Sequence, residues 1–246
     1  MSYQNVFRRY ELKYLLTPEQ RDAVMSGMAD YMKLDQYGRT TIRNVYFDTE
    51  SFRLIRRSIE KPMYKEKLRI RSYARADADS TVFVELKKKY NKVVYKRRIA
   101  LPESVAMSWV TGKTERPVDT QITREIDYFL SHYGTLSPAV FLSYEREAFF
   151  ERDGGDFRVT FDENILARQN ELSLCADVYG NSILPENRVL MEIKCPGAIP
   201  LWMTSILSRE KIYKTSFSKY GVAYGEYILP SLLNDKKQKE ILTYAR

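Results

Sequence analysis

The chain has 246 residues, enough for one large domain or two small ones and for a substantial buried core. Its 44% apolar and 29% charged residues are ordinary for a soluble globular protein, while a net charge of +8 and a pI near 9.3 point to polyanionic partners: nucleic acid, an acidic membrane face or phosphate chains. No apolar run reaches the ~20 residues of a membrane span, the opening MSYQNVFRRYELKY lacks the apolar core of a secretion signal, and Cys175 and Cys195 are too few for a disulfide framework and read as buried thiols, so a cytoplasmic protein is expected.

Residues 7–14 (FRRYELKY) alternate apolar with charged and predict a strand. Thr17-Pro18-Glu19-Gln20 is a helix start, with a Thr cap, Pro at the first helical position and Gln three residues after the cap, and the helix is expected to run to about Met32. A second strand follows over 41–48, and Asp48-Thr49-Glu50-Ser51 opens a short basic helix. Residues 63–73, 81–89 and 93–100 predict three successive antiparallel strands, the last two joined by a turn at Tyr90-Asn91-Lys92. Pro102 starts a helix, and Asp119 is expected to cap another that places Ile122, Ile126, Phe129, Leu130 and Tyr133 on one face. Two long strands over 139–150 and 156–165 flank the turn Asp153-Gly154-Gly155, and 188–195 is the last clear strand. A helix follows Pro200, another is expected over 216–229, and the Lys-rich stretch after Pro230 reads as solvated. No repeat or linker divides the chain.

Residues two apart in a strand project to one side, and that rule segregates the charges. Arg9, Glu11 and Lys13 share a face; so do Lys67, Arg69 and Arg71, Glu85 and Lys87, Lys96 and Arg98, Arg158 and Asp162, and Glu192 and Lys194. For one strand, a half-solvated sheet explains this. Across six strands the polar face is mostly Arg and Lys, and like charges on neighbouring strands destabilise a sheet unless a polyanion compensates them. Glu11, Glu85 and Glu192 each stand two residues before a Lys on these faces. Salt-bridge neutralisation explains them, and so does coordination of Mg²⁺ or Mn²⁺ by carboxylates together with substrate phosphates.

The segments ELKY (11–14), NVYFDT (44–49), KLRIRSY (67–73), VFVELKKK (82–89), YKRR (95–98), YEREAF (144–149), FRVTFD (157–162), MEIK (191–194) and FSKYGVAYG (217–225) together resemble the polyphosphate-polymerase domain of the vacuolar transporter chaperone proteins, within the triphosphate tunnel metalloenzymes. The resemblance implies an α+β fold, an eight-stranded antiparallel β-barrel with flanking helices, over residues 1–230, with a polar tail at 231–246. Residue by residue it implies that Lys13, Arg69, Arg71, Lys87, Lys96, Arg146 and Arg158 bind phosphate. Arg98 and Lys194 join the substrate-binding set, Ser218 and Lys219 contact phosphate from the C-terminal helix, and Tyr144 stacks on a base. Glu192 is the main metal ligand implied, with Glu11 and Glu85 beside it. The superfamily's Glu-x-Glu-x-Lys has Arg9 at its first position here, which argues against a two-metal hydrolase.

The activity so implied is transfer of the γ-phosphoryl group of ATP to inorganic polyphosphate, with Mn²⁺ or Mg²⁺. Triphosphate hydrolysis, polyphosphate sensing without turnover and RNA binding are the alternatives; the glutamates on the cationic face count against RNA. The lone His132 falls on a helix outside the barrel, and no GxxxxGK loop is present. A separate membrane partner is conceivable, because relatives couple synthesis to a membrane complex.

Overall fold

The structure, a computed structural model, describes residues 10–91 and 93–234. Arg8, Arg9, Lys92 and the stretch 235–246 lie outside the described residues. In chain order the elements are β1 (Tyr10–Leu16), α1 (Pro18–Met28), β2 (Met32–Leu34), β3 (Thr40–Asp48), α2 (Arg53–Ile59), β4 (Tyr64–Ser72), β5 (Thr81–Tyr90), β6 (Val93–Pro102), α3 (Glu103–Val110) and α4 (Gln121–Tyr133). They continue with β7 (Ser137–Glu151), β8 (Arg158–Arg168), β9 (Asn181–Ser182), β10 (Val189–Cys195), α5 (Leu201–Arg209), β11 (Lys214–Thr215) and α6 (Lys219–Ala223).

Local chemistry sets most boundaries. The Thr17 hydroxyl accepts from the Gln20 amide at 3.2 Å while the Gln20 side chain accepts from the Thr17 amide at 3.0 Å, the reciprocal cap expected there. Helix α1 stops at Met28, short of Met32, because residues 32–34 pair with β7 instead. Asp119 does not cap α4: Thr120 does, in a reciprocal pair with Thr123, and Asp119 instead pairs with Arg116 and Arg124. Helix α2 begins after Phe52, whose φ is 55°. Asp48 satisfies its first amides from a distance, accepting from Leu54 at 2.9 Å and Ile55 at 3.0 Å. The C-terminal helix differs most from expectation. A wide turn over Tyr224–Ile228 joins α6 to helical residues 229–234, with the Leu229 amide donating to Tyr224. Helix therefore continues past Pro230, where a regular turn would drive the proline ring against the carbonyl four residues back.

All the strands belong to one antiparallel sheet. Its eight long strands run in the order β1-β10-β8-β7-β3-β4-β5-β6, with β11 beyond β1, β2 paired to β7 and β9 paired to β8. Among the described residues no backbone ladder joins β6 to β1, which a closed barrel requires. The sheet curls nonetheless: Lys87 on β5, next to the β6 edge, reaches Glu11 on β1 at 3.1 Å, so side chains from opposite halves of the sheet meet across the concave face.

Two apolar cores cover the convex face. One packs Tyr14, Val159, Phe161, Met191 and Ile193 beneath α1 and α5, and the other packs Val45, Leu68, Ile70, Val84 and Leu86 beneath α3 and α4. A third fills part of the concave side, where Ile55 of α2 and Tyr220, Ala223 and Tyr224 of the C-terminal helix lie against Ile42, Leu142 and Leu190. The remaining concave surface is charged.

Candidate functional site

Strand register gathers the charged residues onto that surface. Lys13 stands opposite Glu192 and Glu11 opposite Lys194; Lys194 in turn faces Arg158 on β8. Arg146 faces Asp162, Tyr46 faces Arg69 and Asn44 faces Arg71. Lys67 stands opposite Lys87, which stands opposite Lys96, while Glu85 lies between Arg69 and Arg98. A run of like-charged neighbours of this kind opposes pairing.

Three carboxylate centres organise the cations. Glu85, 2% exposed, accepts from Arg69 through Nε at 2.7 Å and Nη2 at 2.6 Å, and lies 2.8 Å from Lys96 Nζ, with Arg98 and Arg71 just beyond at 3.8 and 3.9 Å. Burial opposes its ionisation, but Arg69, Arg71 and Lys96 outweigh that and hold it well below the usual carboxylate range. Glu85 is expected as a metal ligand; in the structure Arg69, Lys96, Arg98 and Arg71 gather on it instead and balance its charge without a metal. Glu85→Gln is accordingly expected to lower stability by about 3 kcal/mol in metal-free buffer, because the cations lose their compensation. An unchanged denaturation midpoint with chelator present would return Glu85 to the metal.

Asp162 is the second centre. It is fully buried, receives Arg146 through two parallel bonds at 2.6 and 2.7 Å, and receives Lys219 Nζ at 2.5 Å. Burial raises its pKa, yet Arg146 and Lys219 bring it down to about 2. Arg146 and Lys219 therefore reach the concave surface from a fixed base.

The third centre is the pair Glu11 and Glu192, with Lys13 Nζ 3.7 Å from each. Lys194 Nζ lies 2.7 Å from Glu192 and Lys87 Nζ 3.1 Å from Glu11. Against burial, Lys194, Lys13, Arg146 and Lys219 hold Glu192 well below the carboxylate range. Glu11 is also lowered; burial and Glu192 oppose that, and Lys87, Lys13 and Lys194 drive it. The donor set suits a divalent cation such as Mg²⁺ or Mn²⁺: two ionised carboxylates, with the rest of the shell left to phosphate oxygens. Among the described residues no three acidic, His or Cys side chains gather to hold a metal alone.

The segment before α6 closes one side. Lys13 donates to the Phe217 carbonyl at 2.8 Å, and Lys67 donates to the Ser218 hydroxyl at 3.0 Å. Tyr144 departs from its expected role. It is 3% exposed, its hydroxyl accepts from Arg71 at 3.0 Å, and Arg146 and Lys219 lie over its ring at 5.0 and 4.3 Å. With cations on its face it supports them and offers no surface to a base. Burial works against its ionisation, yet Arg71, Arg146 and Lys219 lower its pKa to about 8.

Every expected cation that is described lies on this surface: Lys13, Arg69, Arg71, Lys87, Lys96, Arg98, Arg146, Arg158, Lys194 and Lys219. Sequence reasoning placed Lys67 and Asp162 on the right faces but gave neither a role. It missed Tyr46, whose hydroxyl accepts from Arg69 at 2.8 Å. His132 is on α4, beside Tyr128 and Tyr133, on the convex side.

The VTC domain family profile matches residues 8–226, and the chain belongs to that family. Among solved structures it is similar to a candidate adenylate cyclase from Bacillus halodurans, with 14% identity and a TM-score of 0.54 over 87% of this chain and 94% of that one. It is also similar to a candidate adenylyl cyclase from Hippeastrum, described as having a dominant triphosphatase activity, with 16% identity and a TM-score of 0.50 over 86% and 93%. These likenesses show that the chain shares their fold. No curated protein matches the sequence.

Proposed function

We propose that this protein is a polyphosphate polymerase that moves the γ-phosphoryl group of ATP onto the end of an inorganic polyphosphate chain. The observation that carries the reading is a curved face whose cations, the ten expected ones together with Lys67, outnumber its carboxylates and run across seven strands and the start of α6. A compact monoanion needs two or three such groups. A linear polyanion can use the whole row.

The reaction requires no nucleophilic side chain. A terminal phosphate oxygen of the chain attacks the γ-phosphorus, the bond from that phosphorus to the β,γ-bridging oxygen breaks, and ADP leaves with the electron pair. Catalysis is then positioning and charge neutralisation. Arg69, Arg71, Lys96 and Arg98, gathered on Glu85, would hold one phosphate run, and Arg146 and Lys219, fixed by Asp162, would hold the other. Lys13 and Lys87 lie between them. Glu11 and Glu192 would carry a divalent cation, which when bound neutralises charge on the donor oxygens.

Hydrolysis of triphosphate is the second reading. Lys87 and Lys96 are 41% and 43% exposed, so water reaches this end of the row, and the Hippeastrum protein is described as a triphosphatase. Incubation with ATP and Mn²⁺ separates the readings. Long-chain polyphosphate with stoichiometric ADP is expected; free phosphate without chain growth replaces the polymerase by a hydrolase, and tight polyphosphate binding without product makes the protein a sensor. Among the described residues no helix is long and apolar enough to cross a membrane.

A further inference from the structure

We infer that Lys67 is a phosphate ligand of this site, and that it rests on Ser218 when no phosphate is bound. The inference depends on the concave face being a phosphate site and needs no turnover there.

Lys67 differs from the other cations of the face in its partners. Glu85 serves Arg69 and Lys96, Asp162 serves Arg146 and Lys219, Glu11 serves Lys87, and Glu192 serves Lys194. Among the described residues Lys67 makes one hydrogen bond, to the neutral Ser218 hydroxyl, and has no carboxylate within ion-pair distance. The Ser218 oxygen also accepts from the Gly221 amide at 3.2 Å, so it is a shared and weak acceptor. The charged groups that act most strongly on Lys67 are Lys13 on β1, Lys87 on β5, and Lys65 and Arg69 on its own strand, all of them cations. Burial and then Lys13 and Lys87 push its pKa down to about 7. An ammonium held among ammonium groups, with one neutral acceptor, is costly in the empty protein and is relieved by an anion. Lys13 stands in the same relation to the neighbouring residue, donating to the Phe217 carbonyl. An arriving phosphate offers both lysines a better acceptor and frees residues 217–218.

Calorimetric titration with tripolyphosphate, using wild type, Lys67→Met and Lys67→Arg, tests this. A charge-assisted bond to phosphate predicts that Lys67→Met weakens binding by about tenfold or more and that Lys67→Arg restores most of it. Proton uptake on binding near neutral pH, read from buffers of different ionisation enthalpy, is expected to be larger in wild type than in either variant, because only lysine gains a proton there. Without ligand, Lys67→Met is expected to melt at or above the wild-type temperature, since it removes an uncompensated cation. Equal affinity in Lys67→Met, or a lowered melting temperature with unchanged proton uptake, makes Lys67 structural and overturns the inference. Absence of tripolyphosphate binding in wild type would overturn the phosphate reading of the face, and this inference with it.

Discussion

Glu192→Gln is expected to reduce turnover by roughly a hundredfold or more while leaving the folded structure and its melting temperature close to wild type. The amide keeps the shape of the side chain and removes only the charge. That charge stands in the middle of the site: Lys13 and Lys194 approach it directly, and Arg146 and Lys219 add to the field that keeps it ionised. Lys13 keeps a second carboxylate, Glu11, at 3.7 Å, and water reaches the partly exposed Lys194, so both stay compensated when the Glu192 charge is lost. The defect is therefore expected in catalysis rather than in folding. Steady-state rates across a Mn²⁺ titration check this: the variant should require more metal and saturate at a lower rate. A rate and metal dependence equal to wild type removes Glu192 from the site.

Asp162→Ala is expected to have the opposite profile, a loss of about 3–5 kcal/mol of stability, because it strands two cations that the fold has buried. Arg146 and Lys219 pair directly with the same carboxylate, and Glu192, whose field they also feel, makes no ion pair with either among the described residues. The same pair sets an acid limit. The pKa of Asp162 is depressed to about 2 in the folded protein, so its contribution is present above the ordinary carboxylate value of about 3.9 and is lost as the pH falls from there through 2. Denaturant melts at falling pH should show the wild type converging on Asp162→Ala over that interval. Parallel curves would mean that the ion pair contributes nothing to stability.

The strands and their charged faces were legible in the sequence because a two-residue period is local: the alternation in KLRIRSY and VFVELKKK states which side each residue takes. What the period cannot state is which strands become neighbours. Glu85 read as a metal ligand although its neighbouring strands were expected, because the pattern does not state their register, which sets Arg69 opposite Glu85 and brings Lys96 onto its oxygens. Tyr144 read as a stacking surface for the same reason, since Lys219 reaches it from the far end of the chain. The α4 cap was misplaced by one residue because Asp119 and Thr120 are both good caps, and the choice fell to Thr123, whose hydroxyl completes the reciprocal pair. Helix beyond Pro230 had no local signal, since the wide turn that admits the proline forms only where Tyr224 and Ile228 are buried in the concave core.

A crystal structure with tripolyphosphate tests the central claim most directly. The phosphate chain is expected along the concave face, in contact with Lys13, Lys67, Arg69 and Arg146, with Glu11 and Glu192 beside it. A chain bound on the convex surface, with those four side chains unchanged, would contradict the account.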